Sequence, residues 1–165
     1  MVKLRTGEFF INSKFVKKVQ ITKGVPQGSV LAPLLFNIYI RSIEKYIGSC
    51  SNLQFADDCA ITYKNSNIQD IINALQNGFT SLIDWLKTRG LKVAVNKTKF
   101  ILFSKQIHTT LYELAVKGEI IRQSNSVEFL GVTFDRNFRW KNHIAKTSRK
   151  ALFACNILKA MAGVR

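Results

Sequence analysis

Apolar residues recur at three- and four-residue intervals most clearly between Asn67 and Gly90. Ile68, Ile71, Ile72, Leu75, Phe79, Leu82, Ile83 and Leu86 make one stripe, the period of an amphipathic helix. Asn67 is placed to cap its start, with Asp70 three residues on, and Gly90 to end it. A second helix is expected over Leu31–Tyr46. Pro33 then falls in its first turn, where a missing N–H is tolerated. A third is expected over Lys141–Met161, with Ile144, Leu152, Cys155 and Leu158 on one side.

Elsewhere the apolar residues alternate or form short runs. Glu8–Phe15, Lys18–Thr22, Leu53–Ala56, Cys59–Tyr63, Leu91–Val95, Lys99–Ser104, Thr110–Val116 and Val127–Phe134 read as strands. Asp57-Asp58 sits at the bend between the third and fourth of these, and Lys117-Gly118 suits a turn. The order strand, strand, helix, hairpin, helix, strands, helix predicts an α+β design, with helices on one face of a mostly antiparallel sheet. No repeat and no Pro/Gly/Ser-rich linker interrupts it, so one continuous unit is expected.

Composition narrows the class. The 165 residues, 47% of them hydrophobic, are enough for a real core and exclude a disordered or fibrous chain. The longest apolar stretch, Val30 to Ile40, contains Asn37 and is well short of the roughly 20 residues that span a membrane. The first eight residues lack the apolar core of a secretory signal, so an intracellular protein is expected, with no membrane partner. Cys50, Cys59 and Cys155 are odd in number and far apart, and His108 and His143 complete no zinc spacing. Reduced thiols are the expectation. The charge is more telling: 25 Lys and Arg against 10 Asp and Glu give +15. Such an excess favours polyanions, chiefly nucleic acid, but says nothing of the reaction.

Two constellations could carry chemistry. Phe55-Ala56-Asp57-Asp58 presents two carboxylates at a hairpin bend between apolar arms. Hard cations such as Mg²⁺ take carboxylate oxygens and keep waters and phosphates as further ligands; two-metal phosphoryl transfer uses such carboxylates. Asp is also common in ordinary turns, and the residues alone leave both readings open. The second constellation is Gly24-Val25-Pro26-Gln27-Gly28-Ser29 before the helix beginning near Leu31. Glycines let a ligand approach the backbone, and a helix N-terminus favours phosphate. The Gly-Lys-Ser/Thr end of a Walker loop is missing, and a plain turn before a core helix fits equally well.

The run Gly-Val-Pro-Gln-Gly-Ser-Val-Leu-Ala-Pro-Leu-Leu-Phe-Asn-Ile-Tyr-Ile, from Gly24 to Ile40, resembles the motif that opens the long palm helix of non-LTR (LINE-type) retrotransposon reverse transcriptases. Phe55–Asp58 resembles that family's metal-binding hairpin. Gly90–Phe103, centred on Lys97-Thr98, is similar to its next palm motif. Val127–Asp135, with Trp140 and His143-Ile144, is similar to the primer-grip hairpin and the entry to the thumb. The four lie in the family's order over nearly the whole chain.

The resemblance implies residues 1–140 as part of a polymerase palm and 141–165 as the beginning of a thumb helix. It implies template-directed nucleotidyl transfer with two Mg²⁺ ions, an RNA template, a DNA primer and a deoxynucleoside triphosphate. Asp57 would be the direct metal ligand and Asp58 the second, weaker one. Pro26, Gln27 and Gly28 would line the nucleotide and template side. Lys97 would sit by the incoming nucleotide's phosphates, as a catalytic acid toward pyrophosphate or as a solvated lysine. Phe129, Leu130 and Gly131 would hold the primer end, although Phe129 and Leu130 also suit an ordinary core. One departure stands out: the family's earlier palm strand, with another metal-binding Asp, has no counterpart before Gly24. The expectation is therefore a reverse transcriptase fragment inactive by itself, the alternative being a non-catalytic basic nucleic-acid-binding remnant.

Overall fold

The computed structural model describes residues 5–21, 24–26, 28–104 and 110–163. They form helices and antiparallel strands in the order β1 (Arg5–Ile11), β2 (Lys14–Ile21), α1 (Ala32–Ile40), β3 (Ser51–Phe55), β4 (Asp58–Thr62), α2 (Ile68–Thr88), β5 (Glu113–Val116), β6 (Glu119–Arg122), β7 (Ser126–Phe129), β8 (Val132–Asp135) and α3 (Lys141–Met161). Short 3-10 turns cover Arg41–Tyr46 and Val95–Lys97.

The chain divides into two compact units, residues 1–41 and 42–165, where one continuous unit was expected. The division falls between Arg41 and Ser42, inside helical backbone and not in a Pro/Gly/Ser-rich linker.

In the first unit β1 and β2 pair around Asn12-Ser13, both at positive φ (50° and 63°). The expected break near Val16-Lys17 is corrected: Asn tolerates the left-handed region a two-residue hairpin requires, and Val16 is instead the extra residue of a bulge opposite Phe9 and Phe10. α1 carries its proline in the first turn, as expected, but ends at Ile40, and the chain tightens to 3-10 over the residues assigned to its second half. It buries Ala32 and Ile40, while Leu31, Leu34, Leu35 and Ile38 stay exposed around it.

The second unit is organised by α2. The Asn67 side chain accepts the Gln69 N–H at 2.9 Å, the expected cap. At the other end Gly90, at φ 71°, donates to the Lys87 carbonyl (3.0 Å), and Leu91 to the Leu86 carbonyl (2.9 Å). These two bonds are the closure a left-handed residue permits just past a helix. The apolar stripe packs on one core of Ile83, Phe100, Leu102, Leu114, Val116 and Ile121, with Ile68, Ile71, Ile72, Leu75 and Phe79 against it. Gln76 fixes the register. Its amide nitrogen donates to the Ala115 carbonyl (2.5 Å), and its amide oxygen accepts the Ala115 N–H (2.7 Å). One side chain thereby serves the edge of β5 as a neighbouring strand would.

Among the described residues the strands form four separate antiparallel hairpins, β1–β2, β3–β4, β5–β6 and β7–β8, where one sheet was expected. Leu91–Val95 and Lys99–Ser104 are not strands; a single parallel bridge, Phe100 to Gln123, is their ladder pairing. Their apolar residues are claimed by the core through Val93, Val95, Phe100 and Leu102, so alternation survives without a partner strand. Val127–Phe134 is two strands around Leu130-Gly131 (φ 49° and 80°), and Lys117-Gly118 (47° and 89°) is the expected turn of β5–β6. α3 runs over the expected residues and buries none of them. No helix of the described residues is long and apolar enough to cross a membrane.

Candidate active site

The hairpin β3–β4 closes with Phe55 opposite Asp58, so its connection is the two residues Ala56-Asp57. Asp57 is in the turn itself and Asp58 is the first residue of β4, both exposed. Neighbouring residues of an extended chain point apart, so one carboxylate at a time faces a given side. Ala56 stands at φ 51°, a region that costs an L-residue roughly 1–2 kcal/mol. The Gln54 side chain donates to the Ala56 carbonyl at 3.2 Å and braces the bend. Such strain is kept where surrounding structure over-determines it, often at functional turns. Ala56→Gly is accordingly expected to raise stability by about 1 kcal/mol, read as a higher thermal midpoint; a lower midpoint would show that the Ala56 methyl is itself a packing contact.

Among the described residues, salt bridges join Lys18 to Glu8, Lys117 to Asp84, Arg122 to Glu113 and Lys146 to Glu128. Neither Asp57 nor Asp58 enters one, in a chain with two and a half cations for every acid. Glu44, Asp70, Glu119 and Asp135 enter none either, so the missing partner does not by itself set the pair apart. The oxygen donors match a hard divalent cation in kind. In number they are incomplete: among the described residues no group of three His, Cys, Asp or Glu could hold a metal ion.

The other expected site residues lie elsewhere. Pro26 is exposed and its carbonyl accepts the Ser29 N–H at 3.2 Å; Gly28 is exposed at φ 82°; Gln27 lies outside the described residues. These belong to the first unit, and Asp57 and Asp58 to the second. Lys97 closes the 3-10 turn after Ala94 and is exposed, its N–H bonded to the Ala94 carbonyl at 3.0 Å. Phe129 is half-buried at the end of β7. Leu130 is not core: it sits exposed in the β7–β8 turn, with Gly131 beside it, because the tight hairpin needs two left-handed residues there.

Sequence reading missed Asp135. Its carboxylate accepts the backbone N–H groups of Asn137 (3.1 Å), Arg139 (3.0 Å) and Trp140 (2.6 Å), folding the chain from β8 into α3. The hydrogen bond from Arg139, with those from Trp140 and Asn137, holds its carboxyl below the usual carboxylate range against a smaller opposing effect of desolvation. The signal was present in Asp135-Arg136-Asn137, since Asp favours bonding the backbone two residues on. The Thr133 N–H also bonds His143 Nδ1 at 3.3 Å, tying β8 to the first turn of α3.

Residues 3–134 match the family model described as reverse transcriptase (RNA-dependent DNA polymerase). Among curated proteins, the chain is 29% identical over 152 residues to the probable RNA-directed DNA polymerase from transposon BS of Drosophila melanogaster, covering 84% of this chain and 16% of that protein. It is 27% identical over 146 residues to the RNA-directed DNA polymerase from mobile element jockey of Drosophila funebris, with the same two coverages. The probable polymerase from transposon X-element of Drosophila melanogaster is 26% identical over 128 residues, 75% of this chain and 14% of that protein. The chain thus spans about one sixth of the length of these relatives. No solved structure gives a significant match.

Proposed function

Because the chain belongs to the reverse transcriptase family, as a segment of a polymerase of the non-LTR retrotransposon type, we propose that β3–β4 is its catalytic-carboxylate hairpin. The observation that carries this is the exposed Asp57-Asp58 pair at the strained Ala56-Asp57 turn of a tight hairpin, in a chain of charge +15. In this reading Asp57 is the direct ligand of a divalent cation and Asp58 the weaker one. Bound Mg²⁺ would neutralise charge on the phosphates in a two-ion nucleotidyl transfer. Pro26, Gln27 and Gly28 line the nucleotide and template side, and Lys97 meets triphosphate oxygens as a flexible point charge. Phe129, Leu130 and Gly131 hold the primer end; the exposed Leu130 suits contact better than core. Residues 1–140 are then part of a palm, with 141–165 the start of a thumb, acting on an RNA template, a DNA primer and deoxynucleoside triphosphates.

A Mn²⁺ titration followed by amide line broadening tests the hairpin. Broadening is expected to centre on residues 55–59 and to vanish in the Asp57→Ala/Asp58→Ala double variant. Broadening spread evenly over the acids, or unchanged in that variant, would remove the metal-ligand assignment. A second reading, a non-catalytic nucleic-acid-binding segment, is favoured by the incomplete ligand set among the described residues. It keeps the charge and the surface without turnover.

A further inference from the structure

Between β8 and α3 the chain reads Arg136-Asn137-Phe138-Arg139-Trp140-Lys141, cations alternating with aromatic rings. Phe103 and Phe138 stack with centroids 4.5 Å apart and planes at 20°. Phe138 continues to Trp140 at 6.2 Å, and Trp140 to Phe134 at 5.5 Å. The outer end of this row is open: Phe103 is 41% exposed and Phe138 50%. Phe138 and Trp140 are also at positive φ, 52° and 60°, uncommon and costly for bulky residues. The fold thus bears backbone strain and half-exposed apolar rings at one place. The three N–H groups gathered by Asp135 hold them there.

What would cover such a row follows from the charge beside it. From Arg136 to Arg165 the sequence has eight Lys and Arg and no Asp or Glu. The acid before this run, Asp135, is engaged with the backbone. Aromatic rings and Arg are also common at protein interfaces; a run of eight cations without a single acid is what favours a polyanion. Cations interleaved with open aromatic rings match a single strand, whose bases stack and whose phosphates need neutralising.

We propose that Phe103, Phe138 and Trp140 form a stacking platform for unpaired bases of a single-stranded nucleic acid, with the exposed Arg139 and Lys141 taking its phosphates. The platform deepens the reading above, resting on the nucleic-acid binding it assigns to the chain. Bases inside a duplex keep their faces stacked on each other, so the platform discriminates single strand from duplex. That distinction is separate from the salt-dependent attraction the whole +15 chain exerts on any phosphate backbone.

The test uses the full 165-residue chain, a labelled 12-nucleotide oligouridylate and a blunt RNA duplex of equal length, each titrated at two salt concentrations. Phe138→Gly removes the ring while keeping a residue at home at positive φ; the relieved strain offsets part of the lost stacking on Phe103, and a cooperative thermal transition checks that the variant folds. It is expected to bind the single strand about tenfold more weakly, with duplex binding changed less than twofold and the salt slope unaltered. Phe138→Tyr, which keeps the ring, should stay within about twofold of wild type. Equal single-strand binding by wild type and Phe138→Gly overturns the platform, as does an equal loss on duplex, or Phe138→Tyr binding as weakly as the glycine variant. In each of those outcomes salt-dependent binding by wild type leaves the broader nucleic-acid reading intact. No binding of either probe at low salt overturns both.

Discussion

Purified by itself, the 165-residue chain is expected to add no nucleotide to a DNA primer on an RNA template, with Mg²⁺ or Mn²⁺, and Asp57→Ala is expected to leave that background unchanged. The reason is positioning. Phosphoryl transfer asks little covalent chemistry of the protein, and its acceleration comes from holding nucleophile, phosphorus and leaving group in line. Asp57, in the turn, and Asp58, at the start of β4, are neighbours on one hairpin, and only one of them faces a given side. Among the described residues no third ligand joins them. Mg²⁺ demands near-octahedral oxygen geometry; waters and substrate phosphates can fill its other positions but cannot fix the primer hydroxyl relative to the nucleotide. Extension by the chain that disappears in Asp57→Ala would overturn this expectation and show that the site is completed another way, for instance by a second copy.

Gly78→Ala is expected to destabilise the fold by about 2 kcal/mol, the reverse of what the same change does on an exposed helix. At an open helical position alanine is favoured over glycine by about 1 kcal/mol. At Gly78 a Cβ would lie 2.7 Å from the Ile47 carbonyl oxygen and 3.2 Å from Cys50 Sγ. Backbone at that distance has no rotamer to escape into, so α2 and the Ile47–Cys50 turn must separate, at an overpacking cost of roughly 1–3 kcal/mol. The neighbourhood offers little slack: Ile47 is fully buried, the Cys50 thiol donates to the Ala74 carbonyl at 3.4 Å, and Tyr46 stacks on Trp85 at 5.0 Å. Urea unfolding of the two proteins measures the difference. A more stable alanine variant would show that the turn moves aside freely.

Much of the local structure was legible in the sequence for local reasons. α2 was readable from end to end because its stripe, its Asn67 cap and its Gly90 stop each act within four residues along the chain. The Lys117-Gly118 turn and the span of α3 rest on similarly short-range chemistry. The order of motifs identified a reverse transcriptase, and residues 3–134 match that family. The error at Asn12-Ser13 was also local: a turn signal was present and was outweighed by the apolar run through it.

Tertiary structure decided everything that depends on residues distant in sequence. Periodicity marks Leu91–Val95 and Lys99–Ser104 as extended and apolar, but whether they gain partner strands is settled by what packs beside them, and the core took their side chains without a ladder. Gln76 looks like any polar residue on a helix until Ala115, 39 residues away, arrives against it. Gly78 looks like a weak point in a helix until Ile47 shows why nothing larger fits. The carboxylate pair shows the same division. Its place at a hairpin bend was written in residues 53 to 63, whereas the left-handed Ala56 and the absence of a third described ligand emerged only in three dimensions. Turn and helix signals are carried by neighbours along the chain and can be read there; contact partners are chosen by the whole fold at once, and no short window of sequence contains them.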